Sequence, residues 1–202
     1  MRKLIVANIM SLDGYYTGPG GNIMVMPMDH AFDAYNAERL RSAGTLLTGR
    51  TTYEGFLGFW PPVAGDPAYT PDQREISRRD NAIEKVVVSD TLTQEQTAPW
   101  SDTRIVRRAE AHEQVAKLKR EPGGDILMFG SHTLWSDLLV AGLVDELHLM
   151  IGQVVVGAGT PVFTVPPPAA LRLIGVRTWD GSSNVLVRYA VESEGEGKSE
   201  EG

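Results

Sequence analysis

Apolar residues fall along this chain in short continuous runs, set apart by stretches in which they recur every three or four positions. Lys3 to Met10 is the first run. So unbroken an apolar segment predicts a strand buried on both faces, as in a parallel sheet covered from each side. Thr45 to Leu47, Lys85 to Ser89, Thr103 to Val106, Asp125 to Phe129 and Asp145 to Val156 repeat the pattern. Asp29 to Ala43 reads as a helix, with Phe32, Tyr35 and Leu40 at near-helical spacing and Asp29 placed to cap it. Ala109 to Lys119 reads as a helix with a solvated charged face, and another opens at Gly130 and runs to about Val140. Residues 61–83, rich in Pro, Asp and Arg, predict a long excursion containing a short helix. Leu171 to Trp179 and Val185 to Val191 flank Asp180-Gly181-Ser182-Ser183, the pattern of a terminal β-hairpin. With no internal repeat and no second boundary, these elements predict one α/β domain over 1–191. The Glu, Ser, Gly and Lys of 192–202 cannot bury apolar surface and predict an acidic disordered tail.

Two junctions carry candidate chemistry. In Thr45-Leu46-Leu47-Thr48-Gly49-Arg50-Thr51-Thr52-Tyr53 a strand stops at Gly49 and a helix opens, with Thr51 or Thr52 placed to cap it. Such an opening points unpaired backbone N–H groups outward, where an anion can sit. Arg50 adds a cation whose fork suits phosphate oxygens. Phe129-Gly130-Ser131-His132-Thr133 repeats the device, with hydroxyls from Ser131 and Thr133. Two such junctions favour a nucleotide or phosphate ligand. The G-x-G-x-x-G fingerprint is missing after the first strand, as is a Gly-Lys-Ser/Thr phosphate loop. Ser11-Leu12-Asp13-Gly14 predicts a turn in which Asp13 bonds nearby N–H groups, followed by a mobile loop with Gly18, Gly20 and Gly21. Met24, Met26 and Met28 alternate in the next segment, suited to core filling or to lining a flat ligand.

Charge and composition narrow the function. A net charge of −7 over 202 residues disfavours a general nucleic-acid or anionic-membrane surface, though not a local basic pocket. Without cysteine, disulfides, thiolate nucleophiles and Cys–zinc sites are excluded. His30, His112, His132 and His148 show no ligand spacing, so no metal is expected. No run of about 18 apolar residues predicts a membrane span, and a cytoplasmic location follows by default.

Taken in order, Ser11-Leu12-Asp13-Gly14, Leu47-Thr48-Gly49-Arg50-Thr51-Thr52-Tyr53, Val88-Ser89-Asp90-Thr91-Leu92, Phe129-Gly130-Ser131, Leu143-Val144-Asp145-Glu146-Leu147 and Val156-Gly157-Ala158-Gly159-Thr160-Pro161-Val162-Phe163 resemble the dihydrofolate reductase-like superfamily. Within it the chain looks most like the riboflavin-biosynthesis reductase (RibD C-terminal) family and its stand-alone members. The resemblance implies a central mixed, mostly parallel sheet flanked by helices, a homodimer, and NADPH as cofactor. It places Gly49, Arg50, Thr51 and Thr52 on phosphates and Ser89 near the adenosine 2′-phosphate. Gly130, Ser131, His132 and Thr133 would line the pyrophosphate, and Ala7 and Gly18 would approach the nicotinamide. Tyr15, Met26 and Trp60 are candidates for the substrate pocket. For a proton donor, counting back from Arg50 points to Asp33, and capping logic to Asp29. Riboflavin reductases place an acidic residue before the glycine pair, where this chain has Phe129. The implied activity is therefore hydride transfer from NADPH to some other small planar heterocycle or carbonyl compound. The alternative is a non-catalytic nucleotide-binding module on the same fold.

Overall fold

In the computed structural model, which describes residues 1–192, the apolar runs pair into one eight-stranded sheet. In chain order its members are β1 (Leu4–Met10), β3 (Ala43–Gly49), β4 (Glu84–Val88), β5 (Arg104–Val106), β6 (Asp125–Phe129), β7 (Glu146–Ile151), β9 (Leu171–Arg177) and β10 (Val185–Val191). Across the sheet the order is β5-β4-β3-β6-β1-β7-β10-β9. The first six are parallel, and the terminal hairpin adds two antiparallel strands. This is the mixed, mostly parallel sheet that the resemblance implied.

Successive residues of each run face opposite sides, so an unbroken apolar strand needs two covers. Leu4, Val6, Leu47, Ile126 and Met128 pack against α4 (Ala111–Arg120) and α5 (His132–Val140). Ile5, Ala7, Leu46 and Leu127 pack against α1 (His30–Ser42) and α3 (Pro71–Ala82). Between α1 and α3 in sequence lies α2 (Arg50–Val63), whose Tyr53 joins Val87, Leu92 and Trp100 in a third cluster.

Four local outcomes depart from the sequence reading. The excursion over 61–83 holds a twelve-residue helix, α3, opened by a reciprocal capping box between Thr70 and Gln73 with Pro71 at its first position. α2 runs through Pro61 and Pro62. Its last carbonyls find donors on α3, where Ser77 Oγ donates to Trp60 O at 2.5 Å and Asn81 Nδ2 to Pro61 O at 3.1 Å. β7 ends at Ile151, well short of Val156. The chain beyond it returns as β8 (Thr160–Pro161), which pairs with β2 (Tyr15–Thr17) inside the glycine-rich segment expected to be a mobile loop. Glycine is required at 159, where a Cβ would lie 2.0 Å from Thr17 O. Finally, Glu192 closes the hairpin through its N–H to Ala170 O and its carboxylate to Arg172. The remainder of the expected tail lies outside the described residues.

Buried polar groups fix how α1 sits on the sheet. Tyr35 OH lies 2.6 Å from His148 Nδ1, and His148 Nε2 lies 2.7 Å from Glu146. Burial holds the His148 pKa down, so the ring is neutral at physiological pH. The bond from His148, then that from Lys3, keep the Glu146 carboxylate down at about 2 against the opposing effect of burial. The imidazole therefore donates from Nε2 to Glu146 and accepts at Nδ1 from Tyr35.

Asp80 on α3 is fully buried and neither carboxyl oxygen has a partner among the described residues. Burial pushes its pKa up to about 8, with Lys85 pulling weakly the other way. A carboxyl whose folded pKa exceeds its unfolded value of 3.8 contributes its stability below about pH 4 and loses it as pH rises through 8. Asp80→Asn, a neutral isostere, should therefore flatten the fall in melting temperature between pH 5 and 9 and be more stable than the wild type at pH 9. Thermal denaturation across that range checks it; parallel curves would refute it.

Candidate active site

β3 and β6 are neighbours in the sheet and both run toward the same edge, so the two glycine junctions meet. Gly130 and Ser131 both adopt left-handed backbone, with φ of 58° and 55°. A side chain on Gly130 would come within 2.8 Å of Thr52 Oγ1 and 3.2 Å of Tyr16 OH, so only glycine fits. Ser131 then reaches across: its Oγ accepts from Gly49 N at 2.9 Å, and its N–H donates to Thr52 Oγ1 at 2.9 Å. Asn8, on β1, accepts from Gly130 N at 2.7 Å. Thr52 therefore does not cap α2, whose N-cap is Gly49 with no side-chain bond; its hydroxyl ties α2 to the second junction.

What remains open at this edge are the first-turn N–H groups of α2, at Arg50, Thr51 and Thr52, and those of α5, at His132 and Thr133. None has an intrahelical partner. Both helix dipoles present their positive ends to the same space, which suits a diphosphate. Arg50 leans away along the edge, donating to Glu54 Oε1 at 2.8 Å and to Thr91 Oγ1. Arg107, which donates to Ser89 O at 3.0 Å, and Arg108, whose N–H bonds Asp90, extend a cationic rim that the sequence reading missed. Nothing in their local pattern marks them; the β4–β5 pairing brings them beside Arg50. Ser89 itself is only 3 % exposed, and its hydroxyl accepts from Thr91 N and Leu92 N. It shapes the turn and has no free face for a 2′-phosphate.

Of the two candidate acids, Asp29 is spent. Oδ1 accepts from Ala31 N, Phe32 N and Asn184 Nδ2, and Oδ2 accepts from Ser182 Oγ. Burial raises its pKa, but these bonds, Ser182 first, outweigh it and leave the carboxyl below its ordinary range. Asp33, one turn on, has among the described residues a single side-chain bond, from Gln73 Nε2 at 2.9 Å. Burial pushes its pKa up to about 6, with the Gln73 bond opposing. Half-buried Phe32, the residue before it, packs with Phe56 and Trp60 against the core cluster on α1's side of the sheet. Phe56 lies 6.3 Å from Phe129 and edge-on to Trp60, which stands edge-on to Phe59 at 4.8 Å. Such a half-exposed aromatic wall suits a flat ligand.

The other expected residues are scattered. Ala7 is buried between Phe129 and His148 in register. Gly18 packs against Val25 and Val156. Met26 is 4 % exposed and belongs to the core, so of the two uses open to that segment it takes core filling. Tyr15 turns toward the 157 loop, its hydroxyl 3.4 Å from Gly157 O. Strand alternation gives Tyr16 the inward face instead, stacked on His132 at 5.1 Å. Asp13 holds its own turn through the Ser11 hydroxyl, which lowers its pKa first among its partners, and it also reaches beyond the turn. Ser11 Oγ accepts from Tyr15 N, while Asp13 grips Gly157 N at 2.7 Å and Val156 N at 3.1 Å.

With this geometry in place, comparison with known proteins is informative. The model of the RibD C-terminal domain matches residues 2–187. The chain belongs to the RibD C-terminal domain family. It is 30% identical over 189 residues to the uncharacterized protein YyaP of Bacillus subtilis (strain 168), covering 92% of each. Among solved structures, a putative riboflavin biosynthesis protein from Shewanella sp. PV-4 superposes with a TM-score of 0.63 at 19% identity, covering 95% of this chain and 99% of that one. Dihydrofolate reductase from Enterococcus faecalis, complexed with NADP(H), superposes with a TM-score of 0.57 at 14% identity, covering 95% and 97%. At those identities the solved structures bear on the fold, and they agree with the dihydrofolate reductase-like architecture. Among the described residues no helix is long and apolar enough to cross a membrane.

Proposed function

We propose that this member of the family is an NADPH-dependent reductase acting on a small planar heterocycle or carbonyl compound. The observation that carries the reading is the meeting of two helix N-termini at adjacent strand ends, held together through Ser131. The donor set fits the cofactor. First-turn N–H groups of α2 and α5 with the Thr51 and Thr133 hydroxyls would hold the diphosphate, and Arg50 with Arg107 and Arg108 would hold the 2′-phosphate. A bound NADPH would supply the hydride. The chain's own share is orientation and a proton. Phe32, Phe56 and Trp60 would hold the substrate plane, and Asp33, whose pKa near 6 keeps part of it protonated at neutral pH, would deliver a proton to a substrate heteroatom. The family name and the Shewanella neighbour point to riboflavin chemistry. Phe129 stands ahead of Gly130 where the riboflavin reductases that the chain resembles carry an acidic residue, and this departure favours a different substrate.

The homodimer is proposed through the sheet edge. On β9, Leu173 and Val176 are 52% and 58% exposed, opposite Tyr189 and Val187 of β10. That is an apolar strip on an otherwise unprotected edge strand.

Four measurements test these readings. Arg50→Ala should weaken NADPH binding at least tenfold more than NADH binding in fluorescence titrations; equal losses would remove Arg50 from the 2′-phosphate. Asp33→Asn should lower kcat by about a hundredfold or more with the NADPH Kd unchanged. In the wild type, kcat should fall as pH rises through about 6, because the protonated acid is the active form. Sedimentation at micromolar concentration should give twice the chain mass, and Leu173→Asp a monomer.

A further inference from the structure

Sequence reading assigned no role to Tyr16 or Asn8, and the two meet at the Gly130 turn. Asn8 is nine-tenths buried. Because its Oδ1 must face Gly130 N–H, the orientation of its amide is fixed. Its Nδ2 is left buried with no partner among the described residues, a state that native proteins rarely leave unexplained. Tyr16 stands over the same turn, its hydroxyl reaching the space that a side chain on Gly130 would fill. Among the described residues that hydroxyl makes no hydrogen bond. Burial raises its pKa, so it is a neutral donor. The ring is braced on one side by His132, itself held 3.0 Å from Val162 O, and its strand is pinned by the β2–β8 ladder and by the grip of Asp13 on Val156 and Gly157. Gly130 N–H, Ser131 N–H and Gly49 N–H are all consumed internally. The turn itself therefore offers a ligand no backbone donor, and an oxygen arriving there must be met by a side chain.

We infer that the Tyr16 hydroxyl is a direct hydrogen-bond donor to an acceptor oxygen of the bound dinucleotide where it passes the Gly130–Ser131 turn. This assignment rests on the cofactor reading above. The turn lies at the β1–β6 end of the edge, whereas Arg50, Arg107 and Arg108 lie at its β3–β5 end. Tyr16 thus serves the nicotinamide half, and the arginines the adenosine half. Asn8 holds the turn in place from beneath.

Tyr16→Phe keeps the ring, its stack on His132 and its apolar packing, and removes only the hydroxyl. Titration of the full chain should show the NADPH Kd raised about tenfold, the loss of one good hydrogen bond. The Kd for adenosine 2′,5′-bisphosphate, which lacks the nicotinamide half, should change less than about twofold, and the melting temperature of the free protein should stay within about 2 °C. An unchanged NADPH Kd, or equal losses for both ligands, would overturn the assignment and leave the cofactor reading standing. Failure of the wild type to bind NADPH would overturn both.

Discussion

The architecture of the site depends on one serine in an unfavourable conformation. Left-handed backbone costs a non-glycine residue about 1 kcal/mol or more, and Ser131 adopts it directly after a glycine that does the same. Two hydrogen bonds offset that cost, each worth about 1 kcal/mol net: Ser131 Oγ to Gly49 N, and Ser131 N to Thr52 Oγ1. They connect residues some eighty positions apart and lock the ends of β3 and β6 together. The result is that α2 and α5 open side by side. Two positive dipole ends facing one space repel each other weakly, and an anion between them relieves that repulsion.

The position of α1 is set by a different device. A buried chain of tyrosine, neutral histidine and carboxylate, completed by Lys3, fixes the helix against β7. Each group in it is satisfied, so the low dielectric strengthens the chain rather than making it a liability. Asp29 caps the helix and Asp33 follows within its first turn. The cap draws Asp29 into four hydrogen bonds and lowers its pKa. Among the described residues Asp33 has one side-chain bond, it is half-buried, and its pKa rises. Two carboxyls four residues apart are thereby given opposite characters by their surroundings alone.

Electrostatics at the strand edge runs against the net charge of the chain. The chain carries a net charge of −7, while Arg50, Arg107 and Arg108 gather at the ends of β3, β4 and β5. Glu54 and Asp90 pair with two of them. Exposed pairs of that kind contribute little to stability; here they hold long side chains in place beside a cationic rim.

The order of strands and helices was legible in the sequence because burial on both faces demands unbroken apolar runs, and the junction at Gly130 was legible because no other residue serves there. Helix α3 was also written locally, in Thr70-Pro71-Asp72-Gln73, inside the segment expected to hold a short helix, although it runs longer than expected. The sequence could not show which hydroxyl caps and which bridges: Thr52 and Ser89 look like ligand groups until the fold supplies them with backbone partners. Nor could it show that Asp29 is fully hydrogen-bonded while Asp33 is not, or that Tyr16 rather than the expected Tyr15 faces the Gly130 turn, since both turn on strand register and helix placement. Local pattern determines which segments become strands and helices. Only tertiary pairing decides which polar atoms are already satisfied, and the atoms left over are the ones free to meet a ligand.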